Sequence, residues 1–309
     1  MALQMLQSVV HTHVHCHAAG SFVGMRGTFV ICDAQLGKRD VKMIIGVFGD
    51  VHGAFDALYG AVQRWETLNS KEIHSVLIAG DLNCFPDLAR IDRATRKFGK
   101  EDPTNFGAHE YILGGKTATR KTYFVRGNHE DFDFLKTRKN KPIDPHGMIV
   151  NVEGPLQLED ESGDVCRIYG LGGIQPESAA YTNPPEKAGR EYTSEREFRN
   201  ALNYCNAHKF QILLTHDGPV GYSLARKPDV GSQWIAELVA KAKPRVHFFG
   251  HYNKPPVPGR VGITEESTLI VPLNQTDAMF YHLPKRDSCF AVLDTSDWTV
   301  GFADREIVL

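Results

Sequence analysis

From Lys42 onward the chain alternates short apolar runs with longer amphipathic stretches, the pattern of strands buried in a sheet and joined by helices that cover its faces. Five runs predict strands that end alike: Met43–Phe48 stops before Asp50, Ser75–Ala79 before Asp81, Thr122–Val125 before Asn128, Gln211–Leu214 before His216, and Val246–Phe249 before His251. Each of these following residues can bind a metal. Strands aligned in one sheet bring such ends together, and in open α/β sheets the ligand crevice lies beyond the carboxyl ends of the strands. Met148–Val152, Val165–Gly170, Thr268–Pro272, Cys289–Leu293 and Thr299–Phe302 predict further strands and a second sheet.

Three segments break the pattern. Residues 1–42 contain His11-Thr12-His13-Val14-His15-Cys16-His17 and then small, Gly-punctuated sequence. Alternate residues of a strand share a face, so the four histidines offer one metal reading. The favoured reading is a polar, partly disordered N-terminal extension outside a catalytic domain at 43–309, with Gly27–Asp33 available as an edge strand. Pro86–Lys121 and Glu177–Glu195 read as insertions placed near a site.

Lys+Arg 35 against Asp+Glu 37 gives a formal charge of −2, which removes the global basic field of a non-specific nucleic-acid binder. The basic run Arg90, Arg93, Arg96, Lys97, Lys100 reads as the solvated face of a helix in preference to an RNA-binding surface. The six cysteines are scattered without a CxxC pair, which predicts reduced thiols in a cytosol-like compartment. No apolar stretch approaches the roughly 18 residues of a membrane span, and the N-terminus lacks a secretory pattern, so a cytoplasmic location is expected.

The chemistry sits in five turns: Gly49-Asp50-Val51-His52-Gly53, Gly80-Asp81-Leu82-Asn83, Gly127-Asn128-His129-Glu130, Thr215-His216-Asp217-Gly218-Pro219 and Gly250-His251-Tyr252-Asn253. Their oxygen and nitrogen donors suit manganese, iron or zinc, and together they describe a binuclear metal site. Two divalent ions about 3.5–4 Å apart hold a bridging hydroxide and a phosphoryl oxygen at once. Asp81 is the candidate bridging carboxylate. Asp50 and His52 are assigned to the first metal, and Asn128, His216 and His251 to the second. His129 stays free to protonate a leaving alkoxide, and turnover is expected to depend on His129 and Asp50. Glu130 is expected to orient its neighbours, and Asp217 to support its ligand neighbour. His74, His109, His146, His208, His247 and His282 lack motif context and receive no role.

In order and spacing this set resembles the calcineurin-like metallophosphoesterase superfamily, whose pattern runs Asp-x-His, Gly-Asp, Gly-Asn-His-Asp/Glu, His, then Gly-His-x-His. The match spans Asp50 to Asn253. The resemblance implies an α/β four-layer αββα sandwich of two mixed β-sheets flanked by helices, two divalent metal ions, and hydrolysis of phosphate mono- or diesters. Asn253 stands where the superfamily has a second histidine. That departure predicts a weakly held first metal and motivates an alternative, a protein-binding scaffold that kept the fold. Arg126-Gly127-Asn128-His129-Glu130 looks like the Ser/Thr phosphatases and their diadenosine-tetraphosphatase relatives, in which the matching arginine grips phosphate; a structural ion pair is the equal alternative for Arg126. Gly80–Pro86 lacks the Gly-Asp-x-Val-Asp-Arg-Gly signature of that group. The layout is also similar to RNA lariat-debranching enzymes, which carry cysteine at the position of Asp50 and keep the last histidine. Substrate readings therefore include a nucleic-acid phosphodiester, not indicated by overall charge, as well as a phosphoprotein or dinucleotide.

Overall fold

The computed structural model describes residues 25–30, 42–99, 106–176, 190–222, 230–252, 262–264, 267–276 and 288–308. Thirteen strands are described: β1 (Met25–Val30), β2 (Ile44–Phe48), β3 (Ser75–Ile78), β4 (Lys121–Phe124), β5 (Ile149–Asn151), β6 (Gly154–Glu159), β7 (Val165–Leu171), β8 (Ile212–Thr215), β9 (Val246–Phe249), β10 (Gly262–Ile263), β11 (Leu269–Pro272), β12 (Phe290–Asp294) and β13 (Thr299–Ala303). The helices are α1 (Phe55–Asn69), α2 (Arg93–Gly99), α3 (Gly107–Ile112), α4 (Phe132–Thr137), α5 (Glu195–Ala207), α6 (Gln233–Ala242) and α7 (Arg305–Val308).

The strands form two mixed sheets, ordered β1-β13-β12-β2-β3-β4-β5 and β10-β11-β9-β8-β7-β6. In the first, β2, β3, β4 and β5 run parallel, while β12 pairs antiparallel with both β2 and β13. In the second, β7, β8, β9 and β11 are parallel and β6 and β10 are antiparallel edges. β1 lies at the edge of the first sheet against β13; it begins at Met25 and overlaps the expected Gly27–Asp33 edge strand over residues 27–30, while residues 31–33 lie outside the described residues.

Three apolar layers hold the sheets and helices together. Ile45 and Val47 of β2 pack between the sheets with Ile212, Leu214, Val246 and Phe248, while Phe48 of β2 faces the helical side with Trp65 and Leu58 of α1. Leu213 and Phe249 turn outward from the second sheet onto Phe198 of α5 and Leu238 of α6. Burial on both faces is why these strands read as continuous apolar runs instead of alternating ones. Helix α1 buries Phe55, Leu58, Tyr59, Val62 and Trp65, a 3.6-residue stripe. The ten expected strands are present, and β6 and β10 are additional. β6 escapes sequence reading because it is a half-exposed edge strand containing Pro155. Among the described residues no helix is long and apolar enough to cross a membrane, and Cys84, Cys166, Cys205 and Cys289 are buried.

Trp65 is the largest fully buried side chain of the outer layer. Trp65→Ala is expected to destabilise the protein by about 3–5 kcal/mol, read as a lowered denaturant midpoint, because the cavity opens in a close-packed layer.

Candidate metal centre

The parallel order places the carboxyl ends of β2, β3 and β4 side by side, and those of β8 and β9 beside them from the other sheet. The turns that follow are tight enough to force side-chain-bearing residues into left-handed backbone: φ is 44° at His52, 48° at Asp81, 58° at Asn83 and 65° at His251. Each such residue stores on the order of 1–3 kcal/mol, a cost that persists only where the surrounding packing over-determines it. Glycine is obligatory at positions that include 127 and 80. A Cβ at Gly127 would lie 2.0 Å from Asp81 Oδ1, and one at Gly80 would lie 2.4 Å from His216 Nδ1.

Asp81 occupies the middle of the cluster. Its Oδ1 accepts hydrogen bonds from the amides of Asn128 (2.6 Å) and His129 (2.8 Å). Its Oδ2 then faces two imidazoles, lying 3.8 Å from His52 Nε2 and 3.6 Å from His216 Nε2. The second ring nitrogen is occupied in both cases: His216 Nδ1 donates to the Ala79 carbonyl at 2.7 Å, and His52 Nδ1 lies 3.3 Å from Asn83 Oδ1. That partnering leaves each Nε2 lone pair directed at Asp81. His216 Nε2 is also 2.9 Å from the Asn128 side-chain oxygen. Asp50 Oδ1 accepts from the His251 amide at 2.9 Å, and the His251 and His216 rings are 5.0 Å apart.

Electrostatics keep the cluster in its ligating forms. Burial lowers the pKa of His52 and of His216, and takes His251 down to about 4, so these rings are neutral at pH 7. Burial acts against ionisation of Asp81, yet the surrounding imidazoles hold its carboxyl well below the usual range. Asp50, His52 and Asp81 each bring a donor atom within 4.8 Å of the others. Asp50, His52 and Asp81 form a buried donor group, with His216 facing the same Asp81 oxygen and the half-buried Asn128 and His251 beside His216; these are the donor types a divalent first-row metal takes, so the residues fit such an ion.

The surrounding residues fix these groups in place. Glu130 accepts from the amides of Leu82 (2.9 Å), Cys84 (2.7 Å) and Gly127 (3.4 Å), tying the Asp81 turn to the Asn128 turn. Burial and then the Asp81 charge push its carboxyl up to about 8. Asp217 accepts from the Tyr252 hydroxyl at 2.6 Å, beside His251. His129 Nδ1 is 3.3 Å from Asp92 Oδ2, and its ring is 5.8 Å from that of His52. Burial disfavours the charged ring, but the Asp92 hydrogen bond and the carboxylates of Asp81, Asp92 and Glu130 raise His129 to about 9. Asn83, Asp92 and Tyr252 join the site without a role expected for them from sequence. Asp92 carries a helix-start signal, since its carboxylate accepts from the Thr95 amide at 2.8 Å, but nothing local pairs it with a histidine 37 residues away.

Arg126 is not brought to the cluster. Its guanidinium contacts Glu197 (3.0 and 3.1 Å), Glu153 (3.6 Å) and the Tyr192 carbonyl (3.1 Å), joining the end of β4 to α5 across the two sheets. This is the ion-pair alternative, and phosphate gripping by Arg126 has no geometric support. Asn253 and the His11–His17 run lie outside the described residues.

The sequence profile of the calcineurin-like phosphoesterase family matches residues 43–255. The chain belongs to the calcineurin-like phosphoesterase family. This phosphoesterase is similar to the lariat debranching enzyme of Arabidopsis thaliana, 25% identical over 235 residues that cover 68% of this chain and 54% of that protein. It is similar also to the lariat debranching enzyme of Caenorhabditis briggsae, 23% identical over 256 residues, 72% of this chain and 49% of that protein. The chain thus spans about half the length of the curated relatives it matches. One solved crystal structure superposes with a TM-score of 0.52 at 14% identity, covering 85% of this chain and 99% of that one, which shows the shared fold alone.

Two outcomes test the geometry. Gly127→Ala drives a Cβ into Asp81 and is expected to weaken manganese retention by about 10–100-fold, measured by calorimetric titration. Glu197 is held below its ordinary pKa: burial opposes this, but Arg126 and the Ser194 amide outweigh it. A depressed carboxyl stabilises above its unfolded value of roughly 4.3 and loses that contribution as pH falls through the folded value. Glu197→Gln should therefore cost about 1–3 kcal/mol at pH 7 and flatten the loss of stability below about pH 4, read by urea unfolding across pH.

Proposed function

We propose that this phosphoesterase hydrolyses phosphodiesters with up to two divalent ions, one held by Asp50, His52 and Asp81, the other by Asp81, Asn128, His216 and His251. The observation that carries this reading is Asp81 Oδ2 facing the Nε2 atoms of His52 and His216, with the second nitrogen of each ring already partnered. Asn253 takes the place of the family's last histidine and makes the first ion the more weakly held. Bound divalent ions supply charge stabilisation at the phosphoryl oxygens and a water of lowered pKa. The chain's own part is to aim Asp81 through two amides and to hold His129 protonated beside the cluster. With Nδ1 fixed by Asp92, the ring presents Nε2 as the proton donor to the leaving oxygen.

For the substrate class we take a nucleic-acid phosphodiester, supported by the similarity to two lariat debranching enzymes. The resemblance to debranching enzymes puts cysteine where this chain has Asp50, so the branched linkage itself is not carried over.

On metal-stripped protein, manganese should restore hydrolysis of bis(p-nitrophenyl) phosphate in preference to p-nitrophenyl phosphate. His129→Ala should lower kcat by about 10²–10⁴ while retaining manganese. Asp92 raises the His129 pKa, so Asp92→Asn should move the alkaline limb of the kcat profile to lower pH. Absence of both turnover and manganese binding in the unmutated protein would establish the scaffold alternative.

A further inference from the structure

Two guanidinium groups, one from each inserted segment, meet on a single exposed carboxylate beside the His129 turn. Arg90 donates through Nε and Nη2 to the two oxygens of Asp131 (2.6 and 2.8 Å) and through Nη2 to Asp133 Oδ2 (2.8 Å). Arg190 reaches the other oxygen of Asp133. The two acids differ in kind. Asp131 is buried and caps α4, accepting from the Phe134 amide, whereas the Asp133 side chain is 58% exposed. Asp131 therefore anchors Arg90, and Asp133 lies between two cations in solvent.

The clasp adjoins the His129–Asp92 pair along both chain segments. Asp133 is four residues beyond His129, and Arg90 is two residues before Asp92, the partner of His129. The Arg90 segment is itself braced, because Arg96 Nη2 donates to the carbonyls of Ala89 and Ile91. Residues 86–99 carry Arg90, Arg93, Arg96 and Lys97 against Asp87 and Asp92, a local charge of +2 on a chain of −2. The exposed side chains of Arg93, Arg96 and Lys97 extend this positive surface along α2.

A phosphodiester resembles a carboxylate in the two respects that matter to a guanidinium: one negative charge, shared between two oxygens that accept a planar fork. We propose that Arg90 and Arg190 form a rim that engages a backbone phosphate adjacent to the scissile one on a nucleic-acid strand, with Asp133 as the resident carboxylate that this phosphate displaces. The inference rests on the nucleic-acid reading above and names the residues that read the flanking strand. Arg190 and Arg90 are specificity-determining here, remote from the bond that breaks.

The test uses manganese-loaded His129→Ala protein and a fluorescein-labelled single-stranded RNA of about 12 nucleotides, followed by anisotropy across a salt series. Arg190→Ala should weaken binding about threefold to tenfold at low salt and reduce the slope of log K against log salt by about 0.7. Asp133→Asn removes the competing charge and keeps a carbonyl acceptor, so it should tighten RNA binding by a similar factor. In the catalytically intact background, Arg190→Ala should leave turnover of bis(p-nitrophenyl) phosphate, which has no flanking phosphate, unchanged. Weaker RNA binding in Asp133→Asn, an unaltered salt slope in Arg190→Ala, or equal losses on both substrates would show a purely structural clasp and overturn the rim. If manganese restores no diester turnover to the intact enzyme, the proposed function fails on that result, while the paired binding measurements still decide the rim.

Discussion

The contact between the Asp81 carboxylate and the backbone amides of Asn128 and His129 is the constraint on which the rest of the centre depends. An ionised carboxylate taken out of water is costly unless it is fully hydrogen-bonded and surrounded by compensating charge. Here two amides satisfy one oxygen, and the other is turned toward His52 and His216. The approach is so close that residue 127 has no room for a side chain. One set of hydrogen bonds thus stabilises a buried charge, aligns two strand ends and presents a ligand atom to residues from both sheets.

That arrangement is strained at the donors themselves. His52, Asp81, Asn83 and His251 all hold left-handed backbone. What offsets it is the three apolar layers, which bury the strands on both faces and leave the turns no alternative path. Glu130 braces the same turns, since its carboxyl group accepts from the amides of both. Rigidity of this kind is what a metal centre needs to hold its donors before the ion arrives.

Charge around the centre is divided by function. The buried imidazoles are kept neutral by loss of solvent, whereas His129, sharing the same neighbourhood, is held protonated because Asp92 adds a hydrogen-bonded carboxylate. Arg126 adjoins the same turn in sequence but spends its fork on Glu197 and Glu153, so it ties the two sheets together and takes no part in the cluster. Asp92 and Arg90 come from one inserted segment, so the charge state of His129 is set from outside the strand-end turns.

The amino-acid sequence determined the α/β class, the five strand ends and the donor residues placed after them, because apolar runs buried on both faces and Gly-punctuated turns are local signals that survive without knowledge of the fold. It also made the phosphoesterase resemblance legible through the order of those turns. Only the tertiary structure decided which oxygen of Asp81 faces the imidazoles, that Asp92 supports His129, that Arg126 is a cross-sheet ion pair, and that Arg90 and Arg190 share Asp133. Such pairings join residues far apart in the chain, 37 positions for Asp92 with His129 and 135 for Asp81 with His216, and one-dimensional periodicity carries no information about them. Half-exposed β6 was hidden for a related reason: its place is set by pairing with β7, while its own residues give little strand signal.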